Sequence, residues 1–492
     1  MPFDTTNSTF RGLVGISFAA FAIAGAALLG AVVFADFTVY AAPLIFLILL
    51  VALGLGGVLL LGLQVRGTTA IAAAAMCLID FGFGRFQNVV LGLKGGVYVL
   101  CFLLGMQYLL SRRRAFNTSI WLMMAYALFA WGTVVYSASP WTTAYTGFAL
   151  FALAVISARV ASLERKDVDR MVDVIGMSFG LMLAASMALY VVAPQIAVAT
   201  EVAGTGRVAG LYGSPNSAGG VAGLALLINL SRVLWPNGRS VGALVASCLF
   251  ATVALAALAL SGSRNAAASA AFGTLLLLVL RWRISAVMAL VAVAVGALVM
   301  TVLSLWSDAA DAIVSMVSRT RSGGDVRNLT GRTAIWDFVW KSWQSSPIFG
   351  YGLGSTRAII SEGWATVWGK TTATAHNALL ESLLDLGVLG SVLVFGLVAS
   401  VVRDLVRGIR YAGPFAPNVS LAFGVMAFVI IFGLAEKSFA GTPSTSTGAL
   451  FIVAAIAAAA LRRPTDEVAE ARTATIRAAG SIRPHNRGGM RY

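Results

Sequence analysis

The chain has 492 residues, of which 59% are hydrophobic and only 11% are charged. Soluble domains average about 45–50% apolar and about 25% charged residues, so a water-soluble protein of this size could not bury so much apolar surface. Lys and Arg outnumber Asp and Glu by 35 to 20, but they cluster in short loops between apolar runs. That pattern is typical of membrane topology and argues against nucleic-acid binding.

Apolar runs long enough to cross a bilayer recur along the chain. A transmembrane helix needs about 20 apolar residues, and its backbone polar groups must be satisfied within the segment. We therefore predict an all-α polytopic integral membrane protein with about 12–14 transmembrane helices. The first run exceeds the apolar part of a signal peptide and is predicted to be a retained span. The predicted spans are 12–34, 43–63, 68–83, 89–110, 117–136, 141–158, 171–193, 216–234, 241–260, 266–280, 284–304, 376–402, 418–435 and 448–461.

Basic clusters occur at every second loop, which sets the predicted orientation. They lie near 66, 112–114, 165–166, 239, 281–283, 403–410 and 462–463. By the positive-inside rule these loops and both termini are cytoplasmic. The chain is then predicted to divide into transmembrane helices at 1–304 and 376–461, one long extracytoplasmic loop at 305–375, and a basic tail at 462–492.

Several cations fall on the outer side of this map, against the positive-inside bias. They include Lys94, Arg207, Arg264, Arg332 and Arg357. Fixed guanidinium groups match phosphate oxygens, so a polyanion such as a lipid pyrophosphate would account for them. Snorkelling from a helix end is the alternative for each. Arg264 is favoured for binding because the small residues of its turn, Ser261–Arg264, would let phosphate approach the backbone.

A second outer turn runs from Arg207 to Asn216 and opens the next helix. Its glycines, its polar cap and its arginine suit anion binding at a helix N-terminus. A purely structural start of a helix is the alternative.

The long loop contains an amphipathic segment that begins near Arg332. Its apolar residues recur with helical spacing on one face and include three tryptophans, which suggests a helix at the membrane interface. Pro347 and the glycines at 350, 352 and 354 end it. The apolar positions are Ile335, Trp336, Val339, Trp340 and Trp343.

A polar stripe follows the loop at the start of the next span. Asn377, Glu381 and Asp385 are spaced i, i+4 and i+8, so they share one helix face. An acid as deep as Asp385 should pair with a cation or line a wet cavity. His376 precedes the stripe, and the polar residues that follow it favour a role as a catalytic base over a role as a helix cap.

These segments, in this order, resemble the O-antigen ligase/polymerase superfamily. The resemblance covers about residues 200–400 and rests on RVAGLYGSPN (207–216), SGSR (261–264), GRTAIW (331–336), PIFGYGLG (347–354) and HNALLESLLDLGVLG (376–390). It implies a periplasmic cavity in a bacterial inner-membrane protein. It also implies an undecaprenyl-pyrophosphate-linked glycan donor, with a glycan or lipid A core as acceptor and no metal or other cofactor.

The resemblance also implies roles for single residues. Arg207 and Arg264 would hold the pyrophosphate, and His376 would sit at the acceptor, so these three are the predicted catalytic residues. The reaction would be an inverting glycosyl transfer in which arginines neutralise the leaving group. The remaining candidates for substrate binding are Arg332, Lys94, Arg357, Asn377, Glu381, Asp385 and Asn216.

Three alternatives stay open. A ligase that transfers glycan to lipid A core would share these motifs with a repeat-unit polymerase. Of the two, we favour the polymerase. A polysaccharide flippase should show internal symmetry and short outer loops, and the sequence shows neither. A glycosyltransferase of the shape, elongation and division type should carry an acidic catalytic loop, which we do not find.

Overall fold

The computed structural model describes residues 67–82, 87–111, 116–198, 207–282, 332–368, 374–412 and 416–462. In these ranges the chain is helical, apart from isolated bridges, turns and loops. The predicted spans 12–34, 43–63 and 284–304, the first part of the long loop and the C-terminal tail lie outside the described residues. The helices are α1 (Gly67–Leu78), α2 (Gln87–Ser111), α3 (Thr118–Gly132), α4 (Pro140–Val160), α5 (Arg165–Val192), α6 (Pro215–Leu234), α7 (Val241–Ser261), α8 (Arg264–Trp282), α9 (Arg332–Trp343), α10 (Thr356–Trp368), α11 (Ala378–Gly408), α12 (Ala416–Gly433) and α13 (Thr445–Leu461).

The prediction of an all-α polytopic membrane protein is confirmed. Nine helices of the described ranges are long and apolar enough to cross a membrane: α2 to α8, α11 and α12. Two further predicted spans correspond to apolar helices that are too short to count among these nine, since α1 has 12 residues and α13 has 17.

The predicted span 376–402 is broken by a kink at Gly387. This glycine has φ 64° and ψ −165°, which a residue with a side chain rarely adopts. The helix α11 therefore has a first part before Gly387 and a longer second part after it. The first part carries the polar stripe, and the kink sets its direction independently of the second part.

The segment between α9 and α10 packs directly against this kink. Gly350 lies so close to it that a Cβ atom there would be 2.6 Å from the carbonyl carbon of Asp385. Backbone bonds join Tyr351 N to Leu384 O at 2.9 Å and Val388 N to Pro347 O at 2.9 Å. The segment 347–354 is therefore built into the fold.

The helix α9 buries part of its apolar face against protein. Ile335 and Val339 are buried in a cluster with Ile360, and Trp336 Nε1 donates to Ala375 O at 2.9 Å. Trp340, on the same predicted face, is exposed. The expectation that this whole face lies on the membrane is therefore wrong for the buried part, and for the exposed part it stays a prediction.

Small residues bring the central helices close together. A Cβ atom on Gly223 of α6 would lie 2.4 Å from the ring of Phe428, and one on Gly273 would lie 2.7 Å from Gly424 O. Close backbone approach of this kind is a common mode of helix packing in membranes. It holds α6 and α8 against α12, so the ends of these three helices meet at the candidate site.

Candidate functional site

The candidate site converges on the carboxylate of Glu436, which follows α12 and is buried. Its Oε1 accepts from Arg332 Nη2 at 2.9 Å and from Asn216 Nδ2 at 2.7 Å. Its Oε2 lies 3.1 Å from His376 Nδ1. Arg332 also donates through Nη1 to the carbonyl of Ala435. Three segments that are far apart in sequence thus meet at one side chain.

Arg207 is connected to this carboxylate through Asn216. Its Nη2 donates to Asn216 Oδ1 at 2.8 Å, and its Nε donates to Ser261 O at 2.9 Å. The amide of Asn216 therefore accepts from a guanidinium at one end and donates to a carboxylate at the other. We call Glu436, Arg332, His376, Asn216 and Arg207 the Glu436 cluster.

The turn that carries Arg264 lies beside Arg207. A Cβ atom on Gly262 of that turn would be 3.3 Å from Arg207 Nε. Arg264 is the first residue of α8 and is half-buried. The next residue, Asn265, donates to Phe432 O at 2.8 Å, which ties the start of α8 to the end of α12. The sequence-predicted turns at 207–216 and 261–264 are thus neighbours in the fold.

His376 is held at a strained position before α11. Its φ is 51°, in the left-handed region, where histidine is one of the more tolerated residues. Asn377 is the N-cap: its Oδ1 accepts from Leu379 N at 3.0 Å and Leu380 N at 3.1 Å, and its Nδ2 donates to Leu434 O at 3.0 Å. Asn377 thereby fixes the start of the helix and the direction of the imidazole. Strained residues of this kind cluster at functional sites.

Asp385 is fully buried and binds the loop. Its Oδ1 accepts from Thr356 N at 2.8 Å and Thr356 Oγ1 at 2.7 Å, and its Oδ2 accepts from Gly354 N at 2.8 Å. Asp385 was expected to pair with a cation or to line a wet cavity, and the direct partners of its carboxylate are instead backbone N–H groups and a hydroxyl of the loop. Asp385 thus secures the start of α10.

Glu381 lies one turn earlier on the same face, as predicted, and is also buried. Its Oε2 accepts from Ala375 N at 2.8 Å, the residue before His376. A Cβ atom on Gly441 would lie 2.7 Å from Glu381 Cγ, so the loop after α12 covers this side chain.

Two predicted substrate-binding residues lie apart from the hydrogen bonds of the Glu436 cluster. Lys94 is half-buried on α2 and donates to Ile79 O at 2.8 Å. Arg357 is exposed on the first turn of α10. Their assignment as substrate-binding residues stays a prediction.

The charge state of Glu436 follows from its neighbours. Burial raises the pKa of Glu436, but the hydrogen bonds and charges of His376 and Arg332 outweigh it and hold the pKa below its ordinary value. The carboxylate is therefore ionised at neutral pH. An ionised carboxylate on Nδ1 fixes the tautomer of an imidazole.

Glu436 was missed by the sequence reasoning. The signal was an acid directly after an apolar span, next to Lys437, on the predicted outer side. Its partners are 60 to 220 positions away in sequence, so no local pattern connects them.

The arrangement combines an oriented imidazole with a set of arginines at helix starts. An imidazole that donates through Nδ1 leaves Nε2 to accept a proton. Guanidinium groups at a helix N-terminus suit a phosphate or another oxyanion. Together they suit a transfer in which a hydroxyl is deprotonated and an anion departs.

The family model described as O-Antigen ligase matches residues 249–395. This match covers less than half of the chain; it supports a place in the O-antigen ligase superfamily and indicates an enzyme of the O-antigen ligase/polymerase type in polysaccharide biosynthesis. The match includes the turn of Arg264, the helices α9 and α10, and His376, and it ends before Glu436. No curated protein matches the chain.

Proposed function

We propose that this protein is a member of the O-antigen ligase superfamily and transfers a glycan from an undecaprenyl-pyrophosphate carrier to an acceptor hydroxyl. The reaction takes place at the periplasmic face of a bacterial inner membrane, with both termini in the cytoplasm. The enzyme works as a repeat-unit polymerase and needs no metal. The observation that carries this proposal is the Glu436 cluster, where His376 meets an ionised carboxylate beside the turns of Arg207 and Arg264.

His376 is the proposed base. With Nδ1 donating to Glu436, Nε2 is free to take the proton of the acceptor hydroxyl. The acceptor oxygen then forms a bond to the anomeric carbon while the bond from that carbon to the pyrophosphate oxygen breaks. The configuration inverts, and undecaprenyl pyrophosphate leaves with the bonding electrons. The negative charge of Glu436 stabilises the imidazolium that forms.

Arg207 and Arg264 are the proposed ligands of the pyrophosphate. Negative charge on the bridging oxygen grows as the glycosidic bond breaks, so fixed guanidinium groups lower the barrier in a site that excludes water. The bonds of Arg207 to Ser261 O and Asn216 hold its guanidinium in one orientation before the donor binds. Preorganised charge of this kind costs no rearrangement during the reaction.

Asn216 and Arg332 are the proposed positioning residues. Both bind Oε1 of Glu436, which leaves Oε2 directed at His376. Asn216 also binds Arg207, so it connects the part of the site that holds the donor with the part that activates the acceptor. An amide can accept from the arginine and donate to the carboxylate at the same time without adding charge.

A ligase that uses lipid A core as acceptor is the second candidate, because the same cluster could serve either acceptor. The test uses purified protein in lipid vesicles with a defined undecaprenyl-pyrophosphate oligosaccharide. A polymerase should convert donor alone into longer lipid-linked chains and release undecaprenyl pyrophosphate. A ligase should release it only when lipid A core is added. Transport of intact donor across the bilayer without bond cleavage would overturn the proposed function.

A further inference from the structure

An apolar patch that the other described residues leave uncovered lies at one end of α3 and α4. It consists of Val135 (88% exposed), Tyr136 (44%), Trp141 (90%), Ile348 (56%) and Phe349 (50%). The patch residues at 135–141 contact those at 348–349, because Tyr136 Oη donates to Phe349 O at 3.0 Å and the rings of these two residues are 6.1 Å apart. We call this surface the Tyr136–Phe349 patch.

The patch continues an uncharged stripe along α3. Apart from Thr118 at its start, the exposed positions of α3 and of the 3-10 turn that follows it at Thr133–Val135 are Trp121, Ala125, Leu128, Gly132 and Val135. Their spacing of i, i+4, i+7, i+11 and i+14 places them on one face over the whole helix. A stripe of this kind on a membrane-spanning helix faces acyl chains, and Val135 is both its last residue and the first residue of the patch.

The loop cannot turn its apolar side chains inward. Its other side is bonded to the fold, through Val388 N to Pro347 O at 2.9 Å and through Gly350 and Tyr351 at the kink of α11. Ala138 N also donates to Tyr351 O at 2.8 Å, which joins the loop to the turn between α3 and α4. Ile348 and Phe349 are therefore held outward by the bonds of their neighbours.

We propose that the Tyr136–Phe349 patch is seated in the interfacial region of the bilayer, so that Ile348 and Phe349 anchor the long loop in the outer leaflet. Tyrosine and tryptophan favour that region, since their rings are apolar and their polar atoms reach headgroups and water. Trp121 and Tyr136, near the two ends of the stripe, are separated by about 22 Å of helix rise. That distance is shorter than a hydrocarbon core of about 30 Å, so only the end of the stripe at Tyr136 is placed in the interfacial region.

The anchor has a consequence for the candidate site. The segment 347–354 contacts the bilayer on one side and the kink at Gly387 on the other. The kink directs the first part of α11, which begins after His376. The depth of the patch in the lipid therefore sets the height of His376 above the membrane. This inference concerns the membrane contact alone and does not depend on the proposed reaction.

The test measures lipid contact at single positions. Phe349→Cys and Trp141→Cys are made in a background without Cys77, Cys101 and Cys248, labelled with a small fluorophore and reconstituted in vesicles of phosphatidylethanolamine and phosphatidylglycerol. Lipids brominated at different acyl carbons should quench both labels, at a depth of about 5–10 Å below the headgroups. Iodide added to the water should quench them weakly.

The matched control is Asp337→Cys, on the exposed charged side of α9. Its label should be quenched by iodide and not by brominated lipid. If the label at 349 behaves like the label at 337, the patch is in water and the proposal fails. Cross-linking between copies through the thiol introduced at position 349, without quenching by lipid, would show that a second copy of the chain covers the patch, and it would also overturn the proposal.

A second measurement guards against misfolding of the cysteine-free background. The wild-type protein and Trp141→Phe are compared in the same brominated vesicles. Trp141 should account for a measurable share of the lipid-quenched tryptophan emission. Equal quenching of the two proteins would contradict the proposed position of Trp141.

Discussion

The Glu436 cluster and a second ion cluster lie at opposite ends of α6 and α12 and differ in construction. The second cluster pairs two arginines with two aspartates: Arg232 Nε lies 2.7 Å from Asp173, and Arg239 Nη2 lies 3.1 Å from Asp169. Asn418 joins it by donating to Asp169 at 2.8 Å. We call these five residues the Arg232 cluster. All but Arg239 come from helices α5, α6 and α12, at regular backbone positions.

The comparison shows how similar interactions can serve different purposes. In the Arg232 cluster each guanidinium has carboxylate partners, and Arg232 is fully buried, which fits a contact that holds helix ends together. In the Glu436 cluster the members come mostly from loops and helix starts. They include a histidine with a left-handed backbone, which is 27% exposed. Loops on a rigid scaffold commonly carry the chemistry. Disruption should therefore impair activity at one end and stability at the other.

The largest expected effect is at Arg264. Arg264→Ala should abolish glycosyl transfer while the protein still inserts and unfolds at a normal temperature. Arg264→Lys should also be poor, because an ammonium cannot bind two phosphate oxygens in the fixed geometry of a guanidinium. Turnover and thermal unfolding are measured on the same purified sample. Full activity in the alanine variant would mean that Arg264 does not bind substrate and only snorkels from a helix end.

His376→Ala should reduce turnover of bound donor by about 10²–10⁴-fold, the usual contribution of one general base. Donor affinity should change little, because the arginines bind the pyrophosphate. Single-turnover kinetics and donor titration separate the two effects. Near-normal turnover would mean that the base is elsewhere, and Glu381 would be examined next because it lies on the same helix face.

Arg232→Ala should act on the fold. Removing one partner of a buried ion pair costs about 3–5 kcal/mol, and partial exposure of the two aspartates should bring the loss to the lower end of that range. Thermal unfolding in detergent measures it. Lys166→Ala removes an exposed pair with Glu164 and serves as the control, with almost no expected effect. Unchanged stability with lost turnover would assign the Arg232 cluster to catalysis.

Asn216→Asp tests the connection between donor and acceptor. Loss of a hydrogen bond to a charged group costs about 1.5–3 kcal/mol, so turnover should fall about 10–100-fold. Ser214→Ala removes the N-cap of the same helix without touching the amide, so it serves as the control and should leave turnover almost unchanged. An equal loss of turnover in both variants would reduce Asn216 to a structural role.

The smallest expected effect is the pH dependence of stability at Glu436. Because its pKa is lower in the folded protein, Glu436 contributes stability above its ordinary pKa of 4.5, and this contribution is lost as the pH falls through the folded value. The difference in unfolding temperature between wild type and Glu436→Gln should be constant near neutral pH and shrink in acid. A difference that grows in acid would contradict the ion pairing.

Much of the fold could be predicted because membrane insertion depends on local composition. Apolar runs separated by basic clusters define spans, whatever lies elsewhere in the chain. The exceptions are instructive. The kink at Gly387 could not be predicted from the run 376–402, since the glycine matters only because Ile348 and Phe349 approach it. In the same way, tertiary contacts decide which part of the apolar face of α9 is buried against protein and which part is exposed.

The candidate site, like the fold, could be predicted from the sequence only in part. From the sequence alone, Arg207, Asn216, Arg332 and His376 were selected by residue type and by resemblance to a family. Glu436 belongs to none of the motifs that carry the resemblance. Asp385 was expected to pair with a cation or to line a wet cavity, whereas its direct bonds go to the start of α10. The hydropathy of a span is a sum over consecutive residues, so it can be predicted from the local sequence. Hydrogen-bond partners that lie 60 to 220 positions apart are chosen by the packing of helices, so only the tertiary structure decides them.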